Sequence, residues 1–83
     1  MDKVLVEVFI PASEKSYDVF LPLESKLHEV VYLLAGTMTE LSQGYFSATH
    51  DTILCDRKTG TILNINQTVE ELGLMNGAKL MLI

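Results

Sequence analysis

The sequence has one cysteine, two prolines, no basic cluster larger than the pair Arg57-Lys58, and no apolar run of membrane-spanning length. Each scarcity removes a class of protein. A lone thiol, Cys55, cannot close an intramolecular disulfide and has no second thiol with which to share a metal, which fits a reducing cytoplasm. Six bases against eleven acids leave a net charge of −5, so a nucleic-acid phosphate backbone is repelled and no nucleic-acid partner is expected. Met1 is followed directly by Asp2, without the basic segment and apolar core of a secretory signal. No run approaches the ~18 apolar residues of a bilayer span, so direct membrane insertion is not expected either. The phosphate-cradling glycine motifs of nucleotide sites are absent and the five glycines are dispersed, so no cofactor is expected. These observations point to a cytoplasmic protein.

What is present is ample for a core. The chain has 83 residues, of which 48% are hydrophobic and 20% charged, a balance that favours folding over disorder. A chain of this length supports one core, so residues 1–83 are expected to form one domain.

Residues Lys3–Ile10, KVLVEVFI, alternate with period two: Val4, Val6, Val8 and Ile10 lie on one face, and Lys3, Leu5, Glu7 and Phe9 on the other. Pro11–Lys15 breaks this strand. SYDVFLP then alternates again, with Tyr17, Val19 and Leu21 opposite Asp18 and Phe20, completing a hairpin. After Pro22 the period changes. Leu27, Val30, Val31, Leu34, Met38 and Leu41 form one stripe of a helix. Ser25 is the expected N-cap, with Glu29 one position late for a capping box, and Gly44 is the expected stop. Gly36 weakens the helix interior by about 1 kcal/mol relative to Ala.

Tyr45–Asp51 reads as loop. Thr52–Asp56 and Thr61–Ile65 are two β-favouring runs joined by RKTG, whose Gly60 suits a positive φ in a tight hairpin. Thr68 and Glu71 have capping-box spacing and predict a short helical turn. Met75–Gly77 bends the chain into a closing strand, Ala78–Ile83. The order is ββαββ, a turn, and β, so the class is α+β, with one helix covering one face of a sheet.

This order, with FLPLES entering the helix and TVEELGLMNGAKLMLI closing the chain, resembles the ubiquitin-like β-grasp domains. The likeness runs end to end and implies a mixed sheet of order 2-1-5-3-4 packed on one helix. NINQTVEELGLMNGAKLMLI and the first hairpin PASEKSYDVFLP are most similar to the YukD/EsaB-type ubiquitin-like proteins of bacterial type VII secretion systems. That resemblance implies a non-enzymatic adaptor or regulator whose partner is a secretion-system membrane ATPase or its regulator. The Gly-Gly tail that conjugated relatives and sulfur carriers use is missing after Ile83, so conjugation is not expected of this sequence. A sulfur-carrier or modifier-type protein, or a domain of a larger enzyme or membrane protein, is the alternative, and residues beyond Ile83 would accompany either.

If Leu80 and Leu82 face the helix, as the resemblance implies, Met81 and Ile83 face the opposite side of the sheet. The expected strand order puts Leu5 and Phe9 beside them and Phe20 and Leu54 at the flanks. Six large apolar side chains then gather on an open face, a candidate surface for a protein partner or a homodimer. The competing reading is scattered apolar surface, or a face covered by Tyr45 and Phe46 of the loop. Catalytic chemistry is not visible. His28 reads as a surface histidine, and His50, Asp51 and Cys55 match no metal-ligand spacing. Cys55 is expected to point into the core as a buried, inert thiol.

Overall fold

The computed structural model describes residues 2–43, 46 and 51–83. Strands β1 (Lys3–Ile10) and β2 (Lys15–Pro22) precede a helix, α1 (Leu27–Leu41), and strands β3 (Leu54–Asp56) and β4 (Ala78–Leu82) follow it. The sheet order is β2-β1-β4-β3. β1 runs antiparallel to β2 and parallel to β4, while β3 runs antiparallel to β4. This is the expected β-grasp order with its outermost strand reduced, and the α+β class stands.

The alternation in the sequence sets which face is buried. Val4, Val6, Val8 and Ile10 of β1, Leu21 of β2, and Leu80 and Leu82 of β4 pack against Leu27, Val30, Leu34 and Met38 of α1. Each such aliphatic side chain contributes about 1.5–3 kcal/mol on leaving water. Val69 and Phe46 belong to the same core. Phe46 is therefore in the core and does not lie over the open face of the sheet. Tyr45, His50 and Gly44, the expected helix stop, lie outside the described residues. The left-handed residue after the helix is Gln43, with φ of 55°.

Three expectations need correction. The first is Leu54, which was expected on the open face. It is 1% exposed and sits in the core, because it pairs with Leu82, and directly opposed residues share a face. Cys55, expected to point into the core, lies opposite Met81 and takes the open-face position instead.

The second is the strand at Thr61–Ile65. Only Ile62 bridges the sheet, to Cys55, with Asp56 N–H donating to the Thr61 carbonyl and Leu63 N–H to the Leu54 carbonyl. Beyond Leu63 the chain turns away. The Asn64 side chain accepts the Asn66 amide at 2.9 Å, and the carbonyls of Ile65 and Gln67 turn to the helix.

The third is the helix start. Lys26, not Ser25, occupies the N-cap, and a lysine side chain has no acceptor to offer. The first helical amides are capped from elsewhere in the chain: Leu27 N–H donates to the Gln67 carbonyl at 2.9 Å and His28 N–H to the Ile65 carbonyl at 3.1 Å. Glu29 Oε1 accepts the Lys26 amide at 3.2 Å. The segment expected to extend the sheet is thus spent on the helix N-terminus.

The expected capping box at Thr68 is formed. Thr68 N–H donates to Glu71 Oε1 at 2.8 Å, and Glu71 N–H donates to Thr68 Oγ1 at 3.0 Å. The Thr68 amide holds the Glu71 carboxyl below its ordinary value of 4.5. In the β3 turn, the amides of Thr59 and Lys58 hold the Asp56 carboxyl below 3.8.

Two outcomes follow. Leu54→Ala should lower the unfolding free energy by about 2–5 kcal/mol, read as a fall in denaturant midpoint at unchanged slope. Because both carboxyls titrate lower when folded, their stabilisation is complete at neutral pH and is lost as pH falls below 4.5. Glu71→Gln combined with Asp56→Asn should flatten the decline of denaturant midpoint in that acid window. An unchanged decline would show that other groups drive it.

Candidate functional site

The face of the sheet turned away from α1 is organised in rows by the strand registers. One row crosses the whole sheet: Ser16 beside Phe9, Phe9 beside Met81, Met81 beside Cys55, and Cys55 beside Ile62. Next to it, Ile53 and Ile83 exchange two backbone hydrogen bonds of 3.0 Å, extending the β3–β4 pairing by one pair. Phe9, Ile53, Cys55, Ile62, Met81 and Ile83 therefore form one apolar cluster at the β3–β4 end. Ile62 is 61% exposed and Ile83 52%, whereas Phe9, Ile53 and Met81 are half-buried. Cys55 is the floor of the cluster. It is 2% exposed because a short side chain lies between longer ones, and its Sγ lies 3.5 Å from the Met81 carbonyl.

A charged row bounds this cluster. Asp18, Glu7 and Lys79 are consecutive across β2, β1 and β4, and Arg57 reaches into the row from the end of β3. Its Nη1 lies 3.2 Å from Glu7 Oε2, and its guanidinium stands 4.1 Å from the centre of the Phe9 ring. An exposed pair of this kind contributes at most about 1 kcal/mol. Its larger effect is to cover one side of Phe9. Beyond the charged row lies a second, smaller apolar spot, Leu5 paired with Phe20. Phe20 is 63% exposed, and Lys3 Nζ lies 6.0 Å from its ring.

Of the six residues expected on this face, Phe9, Met81 and Ile83 are brought together. Leu5 and Phe20 lie on the same face but across the charged row, and Leu54 is in the core. Ile53, Cys55 and Ile62 were not anticipated. Their signal was the same parity rule, read one residue differently through β3, plus the bridge that puts Ile62 beside Cys55.

Burial pushes the Cys55 thiol above its ordinary pKa, and the Asp56 carboxylate adds to the shift. Such a thiol is a poor nucleophile at neutral pH. Among the described residues, no group of three or more His, Cys, Asp or Glu is placed to hold a metal ion. None of their helices is long and apolar enough to cross a membrane.

No family model matches the sequence, and no curated protein matches it by sequence. Solved structures match it by fold. The ubiquitin-like domain of the Mycobacterium tuberculosis type VII secretion system protein EccD1 superposes with a TM-score of 0.80 at 15% identity, covering 100% of this chain and 99% of that one. The EccD5 ubiquitin-like domain from Mycobacterium xenopi gives 0.81 at 17% identity, covering 100% and 94%. A chain of the ESX-5 inner membrane complex gives 0.73 at 19% identity, covering 100% of this chain and 21% of that one. The fold is ubiquitin-like β-grasp, and type VII secretion domains are among its structural neighbours.

Cys55 provides a probe of this face. Alkylation of Cys55 in the folded protein at pH 8 should be at least about tenfold slower than in the denatured chain and should accelerate as pH rises. A rate equal to that of the unfolded chain would mean that Met81 and Ile62 do not shelter the sulfur.

Proposed function

We propose that this ubiquitin-like domain is a non-enzymatic adaptor that docks a protein partner on the open face of its sheet. The observation that carries this reading is the continuous apolar cluster of Phe9, Ile53, Cys55, Ile62, Met81 and Ile83 on a face that α1 does not cover. Contiguous exposed apolar surface costs solubility and is retained where a partner covers it. The cluster has the composition of an interface centre: an aromatic ring and a methionine in the middle, with Arg57, Glu7 and Lys79 as a polar rim. The rim also gives orientation, since the partner must meet Arg57 and Glu7 on one side only.

The partner class is a component of a bacterial type VII secretion apparatus, either its membrane ATPase or a protein regulating that ATPase. The fold-level likeness to EccD ubiquitin-like domains and to a chain of an assembled inner membrane complex supports this choice. A homodimer formed through the same cluster is the second reading, because two such faces are self-complementary in their apolar part. The adaptor acts in the cytoplasm.

Met81→Asp and Ile62→Asp place a charge in the cluster without entering the core. Each should abolish capture of the cytoplasmic part of the type VII ATPase in a two-component binding assay, with a thermal midpoint close to that of the parent protein. Light scattering of the same variants reads the dimer. Retained binding by both variants would sink the open-face reading.

A further inference from the structure

The bend that leads into β4 is a turn over Met75–Ala78, closed by the Ala78 amide donating to the Met75 carbonyl at 3.0 Å. Its third residue, Gly77, has φ of +89°, and nothing lies within 4 Å of the place a Cβ would take. Backbone conformation, not space, therefore calls for glycine here. The residue before it is Asn76. In an Asn-Gly pair the backbone nitrogen after the asparagine carries no neighbouring side chain to hinder it, so it is well placed to attack the side-chain amide and close an unstrained five-membered ring. The other two asparagines, Asn64 and Asn66, precede Ile65 and Gln67, whose side chains crowd that nitrogen.

The fold holds both reacting groups. Asn76 Oδ1 accepts the Leu5 amide at 2.8 Å, and the Gly77 amide donates to the Leu5 carbonyl at 2.8 Å. One residue of β1 thus fixes the side-chain amide and keeps the proton on the nucleophile. To react, Asn76 must turn its Cγ onto the Gly77 nitrogen, and that nitrogen must lose its proton. Neither step is compatible with the two bonds. Asn76 and Gly77 are both exposed, so water and base reach the turn, and the hydrogen bonds to β1 are what protect it.

We propose that Asn76–Gly77 is a self-modification site that the β1–β4 junction holds shut, so that opening of the junction changes the chain irreversibly. In the opened chain the Gly77 nitrogen gives up its proton and bonds to Asn76 Cγ. The Cγ–Nδ2 bond breaks, and Nδ2 takes up a proton and leaves as ammonia. Water then opens the cyclic imide. Cleavage at Cγ gives aspartate, whose carboxylate can still accept the Leu5 amide. Cleavage at the main-chain carbonyl carbon gives isoaspartate, which routes the backbone through the former side chain and lengthens the turn by a methylene. Gly77 then no longer meets Leu5 in register, and the ladder that seats Phe9 beside Met81 is disturbed with it. The site is independent of the docking face, so either can fail without the other.

The test incubates the whole chain in mildly alkaline buffer, with and without denaturing urea. Peptide mass mapping follows the loss of ammonia, and enzymatic methylation of the new carboxylate follows isoaspartate. Isoaspartate at position 76 should form at least about tenfold faster in the denatured chain than in the folded one, because slow chemistry samples only the open fraction. Leu54→Ala, which lowers stability away from the turn, should raise the rate in buffer without urea by about tenfold or more. The purified isoaspartate chain should melt below Asn76→Asp, which carries the same charge on an ordinary backbone. Three results would overturn the proposal: equal rates in folded and denatured chains, ammonia loss centred on Asn64 or Asn66 in the denatured chain, or an isoaspartate chain that melts together with Asn76→Asp.

Discussion

The rest of the structure depends on the parallel pairing of β1 with β4 at the centre of the sheet. These strands come from opposite ends of the chain, so closing them costs conformational entropy that local turns do not recover. The cost is offset by burial: Val6 and Val8 lie beside Ala78 and Leu80, under α1. The junction is also fastened by polar groups, since the Leu5 amide donates to Asn76 Oδ1 at 2.8 Å and the Gly77 amide donates to the Leu5 carbonyl at 2.8 Å. Gly77 has φ of +89° there, in the region glycine enters without steric cost. Once this pair is in register, period-two geometry decides the face of every side chain on β2 and β3.

The second constraint is the unsatisfied start of α1. No side chain near Lys26 serves as an N-terminal acceptor for the first amides of the helix, and the backbone at Ile65 and Gln67 supplies the acceptors instead. That choice shapes the candidate docking face. Because residues 64–67 serve the helix, the outer strand shrinks to the bridge at Ile62, and this isoleucine is left exposed beside Cys55. A core requirement on one side of the sheet thus determines how much apolar surface remains on the other.

Legibility tracked the length of the alternating runs. In β1 and β4 the alternation extends over enough residues to have one consistent reading, and Val4, Val6, Val8, Ile10, Leu80 and Leu82 are buried as their parity implies. Around β3 the run Ile53, Leu54, Cys55 is apolar at three successive positions, so period two offers no choice of face, and only the pairing of Leu54 with Leu82 decides it. The charged row and the stacking of Arg57 on Phe9 join residues 48 positions apart, and no local pattern carries such a pairing. The same holds for the apolar groove that Tyr17 and Val19 of β2 form with Leu33 and Leu41 of α1, since it exists only because α1 crosses next to β2.

By itself, the sequence determined the fold class, the first hairpin, the span of the helix stripe and the faces of the two central strands, because each is a local periodicity that burial enforces. Only the tertiary structure decided that Leu54 faces the helix and Cys55 the open side of the sheet, that Ile65 and Gln67 cap the helix, and that Arg57 divides the open face. The physical reason is common to all three: each depends on which strand or carbonyl arrives opposite a residue, and that is settled by long-range pairing rather than by neighbours in the chain.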